Sequence, residues 1–118
     1  MVSRRSSNAV FDPSINVVKV SDSYPEQELE PIFKAHDAVV VSISHASNGA
    51  QISMIDAAVK ARVKRFIPSE YSSVAENREA SELDFRNRDC EKIVQYLRTK
   101  ESTGLTWTTV VNGLFFDM

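Results

Sequence analysis

The sequence predicts an α/β protein built on a parallel sheet. Short β-branched and apolar runs (INVVKV, AVVVSIS, VKRFI and LTWTTVV) alternate with longer segments whose apolar residues recur at helical spacing. Strands separated by helices do not pair as hairpins; they return side by side through right-handed crossovers. No internal repeat, low-complexity tract or linker breaks the alternation, so residues 1–118 read as one unit.

The chain opens on MVSRR, a fragment of strand running into a basic turn. Ile15 to Val20 is the next strand. Pro25 and Pro31 cannot both occupy a helix interior, so the following helix is expected to begin near Glu28, with Pro31 in its first turn. Leu29, Ile32 and Phe33 form its apolar face. Residues 38–44 read as a strand covered on both faces. Asn48 is placed as the cap of a helix reaching Arg62, with Ile52, Ile55, Ala58 and Val59 buried. Val63, Phe66 and Ile67 mark a further strand, which Pro68 ends because it cannot donate to a ladder. Residues 72–83 read as a loop. A helix then runs from Asp84 to Ser102 with Phe85, Ile93, Val94 and Leu97 inward, and Gly104 supplies its left-handed stop. LTWTTVV is the last strand. The end, LFFDM, has no helix to cover its two phenylalanines, so both ends look cut from something larger.

Composition narrows the functional classes. The net charge of −2 gives neither a basic footprint for nucleic acid nor a polybasic membrane patch. No apolar run approaches the ~20 residues that span a bilayer. The single cysteine, Cys90, forms no internal disulfide and fits a reducing compartment, so a cytoplasmic location is expected. His36 and His45 lack the spacing of metal ligands, and no metal is expected. The three glycines, Gly49, Gly104 and Gly113, are too scattered to build a phosphate loop.

VKRFIPSEYSS drives a strand straight into a polar elbow, and such turns at the carboxyl ends of strands are where α/β sheets bind ligands. An ordinary solvated loop would look the same. Three segments go further: KAHDAVVVSIS, MIDAAVKARVKRFIPSEYSS and GLTWTTVVNGLFFDM together resemble the NmrA-like branch of the atypical short-chain dehydrogenases. Within that branch they are most similar to fungal proteins related to isoflavone reductase and phenylcoumaran benzylic ether reductase. The resemblance covers essentially the whole chain and implies a partial Rossmann-like, doubly wound sheet, truncated at both ends. The family's first strand, its glycine-rich GxxGxxG turn and its C-terminal substrate region have no counterpart in these 118 residues.

The resemblance also assigns residues. It places Ser69, Glu70 and Tyr71 beside the nicotinamide end of NADP(H), although the family usually has phenylalanine and glycine where Tyr71 and Ser72 stand. Ser42 and Ser44 match positions that face the cofactor; polar residues marking a strand end would read alike. Arg4 matches the basic residue that holds the 2′-phosphate of NADP, because a guanidinium can grip a phosphate through two parallel hydrogen bonds. Arg5 could share that role. For the family's catalytic lysine, counting from Phe85 reaches Arg88 and counting back from YLRTK reaches Cys90, so Lys92 is the nearest candidate. Arginine stays protonated below a pKa of about 12, whereas burial can tune a lysine toward ~7–8. An exposed helix lysine would fit the same position. Tyr96 and Lys100 spell YxxxK but fall at the end of their helix, so the pair reads as surface packing.

These assignments imply an NADP(H)-dependent reductase of a small aromatic or phenolic metabolite, with no nucleic-acid or membrane partner. Two alternatives stand beside it: a non-catalytic sensor that reads the dinucleotide and binds a regulatory protein, and a truncated product without function. Without the glycine turn, the chain by itself is expected neither to bind NADP(H) measurably nor to catalyse reduction.

Overall fold

A computed structural model describes residues 1–71 and 85–112. The strands are β1 (Val2–Arg4), β2 (Val18–Val20), β3 (Ala38–Val40), β4 (Arg65–Ile67) and β5 (Thr106–Trp107). Between them lie α1 (Glu26–Phe33), α2 (Gln51–Lys60) and α3 (Phe85–Lys100), with 3-10 turns at His45–Ala50 and Glu101–Thr103. Every pairing among the described residues is parallel, as expected. The sheet is nevertheless in two pieces, β1–β2 and β3–β4–β5, and no ladder joins β1 to β3. The loop expected at 72–83 and the LFFDM end lie outside the described residues.

One apolar core spans both pieces. Val20 of β2, Leu29 and Phe33 of α1, Val41 after β3, Ile55 and Ala58 of α2, Phe66 of β4 and Leu97 of α3 all belong to it. The register sets Val39, Phe66 and Trp107 in one row, on the face against the helices. Val40 pairs with Ile67 on the opposite face, where it is 62% exposed. The expectation that this strand is covered on both faces therefore holds on one side only. The reason is that α1 packs on α2 and α2 on α3, forming a single layer among the described residues.

Local signals shifted several boundaries. α1 begins at Glu26 because Pro25 takes the N-cap position, and its carbonyl accepts the Glu28 and Leu29 amides at 3.0 and 3.2 Å. Pro31 then falls inside the helix, where it forgoes a bond to the Gln27 carbonyl on an exposed flank. Asn48 does not cap α2. It lies within the 3-10 turn, Ala50 holds the N-cap position, and the Asn48 side-chain Oδ1 accepts a hydrogen bond from the Gln51 side-chain amide.

Both helix stops after α2 and α3 use the left-handed region. Gly104 does so at φ 88°, as expected. After α2 the residue is Arg62, at φ 58°. Its amide bonds the Val59 carbonyl at 3.0 Å and the Val63 amide bonds the Ala58 carbonyl at 2.9 Å, the two bonds of a Schellman stop. Tyr96 and Lys100 do more than pack on a surface. The Tyr96 hydroxyl donates to Asp56 at 2.8 Å, and the Lys100 ammonium lies 2.8 Å from the same carboxylate and 4.6 Å from the Tyr96 ring centre. The hydrogen bond to Asp56 raises the Lys100 pKa, so this pair bolts α3 to α2.

At the other end of the sheet, Glu28 fastens α1 to the strands. Its carboxylate accepts the Ser21 hydroxyl and, at 3.0 Å, the Ser21 amide, and it lies 3.3 Å from the Arg5 guanidinium. The Ser21 hydroxyl, then its amide, hold the Glu28 carboxyl below its ordinary value of 4.5. Ser6 lowers Asp22 in the same way. No helix among the described residues is long and apolar enough to cross a membrane.

Two outcomes test this packing. Arg62→Gly should stabilise the chain by about 1 kcal/mol, because glycine removes the Cβ strain of the left-handed stop; a denaturant melt reads it. An unchanged or lower midpoint would show that Arg62 is not strained there. For Glu28 the folded value lies below the unfolded one, so its stabilisation is complete above pH 4.5 and fades as pH falls through the lowered folded value. Melts from pH 7 to pH 3 should show Glu28→Gln losing less stability than the parent over that window, and parallel curves would refute the linkage.

Candidate functional site

The carboxyl ends of β1 and β3 open into one cavity of about 530 Å³. That is within the range of roughly 300–1,000 Å³ typical of small-molecule sites. Its polar end is built from Arg4, Ser7, Ser42, Ser44 and Ser47, and its floor is apolar, with Leu29, Phe33 and Met54 beneath. Three of the sequence-selected residues, Arg4, Ser42 and Ser44, therefore meet around one space.

The turn after β1 is shaped by Lys19. Its ammonium donates to the Arg4 and Ser7 carbonyls at 3.2 and 3.0 Å and to the Ser3 hydroxyl at 3.4 Å, using all three of its donors. Lys19 also lies over the Phe11 ring at 5.8 Å. The two arginines next to each other then diverge. Arg5 is held by Glu28 and by the Ser21 hydroxyl at 3.3 Å. Arg4 is exposed, lines the cavity, and its guanidinium makes no hydrogen bond among the described residues. Arg4 is thus the available cation.

The polar elbow after β4 is built differently. The Ser69 hydroxyl donates to the Ile43 carbonyl at 3.1 Å and accepts the Ile43 amide at 3.2 Å, so it staples the ends of β3 and β4 together. The Ser69 amide donates to the Gln51 side-chain Oε1 at 2.8 Å, and the Gln51 Nε2 in turn donates to the Asn48 Oδ1. Glu70 is buried, with its amide on the Pro68 carbonyl at 2.9 Å, and Tyr71 is half-buried. None of Ser69, Glu70 and Tyr71 lines the cavity that Arg4 shares with Ser42 and Ser44. Ser69 sets the height of the loop that carries Ser42 and Ser44.

Gln51 and Asn48 were missed as parts of this site. Both are buried, and they clamp the elbow to the start of α2. Their spacing of three residues at a helix start carried the signal, but it reads equally as a cap.

Lys92 stands elsewhere. It is exposed, forms an ion pair with Asp89 at 2.9 Å, and faces a groove lined by Ile52, Gln95 and Tyr96. The structure does not bring it to the cavity. Cys90, the other position reached by counting, is buried against Val94 and Trp107. Among the described residues no group of three His, Cys, Asp or Glu side chains could hold a metal ion.

The donor set at the cavity fits part of a dinucleotide. An open guanidinium with serine hydroxyls suits a phosphate and a ribose, and the apolar floor suits a ring. Hydride chemistry would come from the nicotinamide of the bound group.

Comparison with known proteins places the chain in a family. Residues 1–117 match the family model described as NAD(P)H-binding. The oxidoreductase aprR of Aspergillus flavus is 39% identical over 119 residues, covering 100% of this chain and 40% of that protein. Among solved structures, AtPrR2 with NADP+ and (+)-pinoresinol has a TM-score of 0.70 at 23% identity, over 85% of this chain and 33% of that one. The pinoresinol-lariciresinol and phenylcoumaran benzylic ether reductase structures include a match with a TM-score of 0.73 at 19% identity, over 97% of this chain and 41% of that one. A leucoanthocyanidin reductase–NADPH complex from Vitis vinifera gives 0.65 at 19%, over 93% and 39% respectively. These likenesses are of fold, and the chain spans 40% of the length of the curated relative it matches. With the family model covering nearly every residue and Arg4, Ser42 and Ser44 around one cavity, the chain belongs to the NAD(P)H-binding family.

Proposed function

We propose that these residues form part of an NADP(H)-dependent, isoflavone reductase-like oxidoreductase acting on a small aromatic or phenolic metabolite. The observation that supports it most directly is the exposed guanidinium of Arg4, which makes no hydrogen bond among the described residues, at the polar end of the cavity it shares with Ser42 and Ser44. In this reading Arg4 holds the 2′-phosphate, and Ser42 and Ser44 face the cofactor from the end of β3. Ser69, Glu70 and Tyr71 support the nicotinamide side from the next strand end. These 118 residues contain no glycine-rich turn to take the pyrophosphate, so Arg4, Ser42 and Ser44 alone are not expected to hold the cofactor measurably.

A second reading, a non-catalytic sensor of the dinucleotide that binds a regulatory protein, draws on Lys92. That side chain is 74% exposed and lies in the groove between α2 and α3, away from the cavity.

Saturation-transfer NMR with NADP+ and NAD+ on a longer protein carrying these residues tests the cofactor assignment. Contact at the adenosine ribose of NADP+ is expected, and Arg4→Ala should weaken it about 10- to 100-fold, the loss of one or two charge-assisted bonds. NAD+ should respond little to the change. Equal loss for both dinucleotides would remove Arg4 from the 2′-phosphate site. In a longer protein carrying these residues, turnover retained by Lys92→Ala would remove Lys92 from the site, and a parent protein without turnover would favour the sensor.

A further inference from the structure

The turn after β1 carries a charge pattern that cofactor binding alone does not use. Arg4 and Arg5 stand three and two residues before Ser7 in the run RRSS. Basophilic serine/threonine kinases read guanidinium groups at that spacing through acidic pockets of their own. The run also offers Ser6, so two adjacent hydroxyls compete for the assignment.

Their surroundings differ in charge. The Ser6 amide donates to Asp22 at 3.2 Å, so a phosphate on Ser6 would be built beside a carboxylate. Ser7 lines the cavity with Arg4, and Ser6 does not. The Ser7 amide donates to the Arg4 carbonyl at 3.2 Å, which closes the turn and brings residues 4 and 7 together. The Lys19 ammonium lies 3.0 Å from the Ser7 carbonyl. A phosphate on Ser7 therefore has two cations beside it. One of them, Arg4, makes no side-chain hydrogen bond among the described residues.

The segment is also open to an enzyme. Residues 7–12 belong to no helix or strand, Ser6, Asn8 and Ala9 are exposed, and Val10 is 96% exposed. Arg5 is 65% exposed, and an ion pair as exposed as its contact with Glu28 yields readily. Ser7 is half-buried, and its hydroxyl accepts only a long bond, from the Ala9 amide at 3.3 Å.

We propose that Ser7 is a phosphorylation site and that its phosphate pairs with Arg4, closing the polar end of the cavity to a second phosphate. In the transfer the Ser7 oxygen forms a bond to the γ-phosphorus of ATP. The bond from that phosphorus to the bridging oxygen breaks, ADP leaves, and the hydroxyl proton passes to the base of the kinase. The product carries a charge of about −1.5 to −2 at neutral pH, where serine had none. The pairing itself needs no cofactor. Its consequence rests on the dinucleotide reading: with Arg4 occupied, the 2′-phosphate of NADP meets a like charge, and NAD, which lacks that group, loses less.

Two measurements on the 118-residue chain test the site. The catalytic subunit of cyclic-AMP-dependent protein kinase with Mg-ATP should add a single phosphate, mapped to Ser7 by tandem mass spectrometry. Ser6→Ala should still accept it and Ser7→Ala should not. Phosphate on Ser6, or none, would overturn the assignment. Phosphoserine inserted at position 7 during translation is then titrated by phosphorus NMR. Its second pKa, about 6 when unpaired, should fall by at least about 0.5, and Arg4→Ala should restore it. Arg5, Lys19, Asp22 and Glu28 also surround the turn and are common to both chains, so the difference reports Arg4. Identical titrations would overturn the pairing. In a longer protein carrying these residues, phosphoserine at position 7 should weaken NADP+ at least about tenfold more than NAD+. NADP+ affinity that falls with Arg4→Ala yet ignores the phosphoserine would overturn the blocking role. If Arg4→Ala itself leaves NADP+ unchanged, the cofactor reading has failed, and the titration still decides the pairing.

Discussion

Leu29 and Phe33 of α1 are the contact on which the remaining structure depends. No hydrogen bond of a ladder crosses from β1 to β3, so among the described residues packed side chains and the α1 crossover set the distance between the two pieces of sheet. Both residues are buried in the one core that also contains Val20 from the first piece and Val41 and Phe66 from the second. Burying two side chains of this size contributes about 3–6 kcal/mol, comparable to the whole net stability of many domains. A ladder hydrogen bond contributes about 1 kcal/mol, so α1 stabilises the gap more than one missing pair would. Glu28, tied to Ser21 and Arg5, fixes the rotation of α1 so that Leu29 and Phe33 face inward.

That arrangement gives the cavity two kinds of chemistry. Where the strands run past each other, the walls are backbone and the floor is hydrocarbon. Where the strands end, loops bring in Arg4, Ser42 and Ser44, and Lys19 shapes the turn that presents Arg4. The division follows from parallel strands: all carboxyl ends lie on one side, so polar loops collect there and apolar strand bodies lie below. Gln51 adds a second constraint. By holding the Ser69 amide it fixes the elbow after β4, and Ser69 fixes Ile43, between the two serines.

Much of this was legible in the sequence, for identifiable reasons. Ile55, Ala58, Phe66 and Leu97 were read as core because burial imposes helical and strand periods on apolar residues, and all four are buried. The left-handed stop at Gly104 was legible because glycine announces it, while the same stop at Arg62 was not, because nothing in an arginine side chain signals positive φ. Asn48 was misread because a cap and a buried side-chain pair with Gln51 require the same residue type at the same place. The open face at Val40 could not be read from AVVVSIS, since an apolar run has no label for which face is covered. At the site, Arg4, Ser42 and Ser44 came from a family pattern, and only three-dimensional proximity shows that they share a cavity.

Lys92 illustrates how one distant contact constrains another residue. Lys92, Tyr96 and Lys100 recur at intervals of four on α3 and so share a stripe of the helix. Asp56 of α2 binds both Tyr96 and Lys100, which turns that stripe toward α2. The opposite stripe, Cys90, Val94 and Leu97, is thereby pressed into apolar contacts, with Val94 and Cys90 against Trp107. Lys92 follows its stripe into the groove beside Ile52, one turn before the bolt. Turning Lys92 out of this groove by rotating α3 would expose Cys90, Val94 and Leu97. Burial of side chains of that size is worth roughly 1.5–3 kcal/mol each, more than an exposed ion pair with Asp89 returns. The orientation of α3 is therefore set by its core, and the place of Lys92 follows from it.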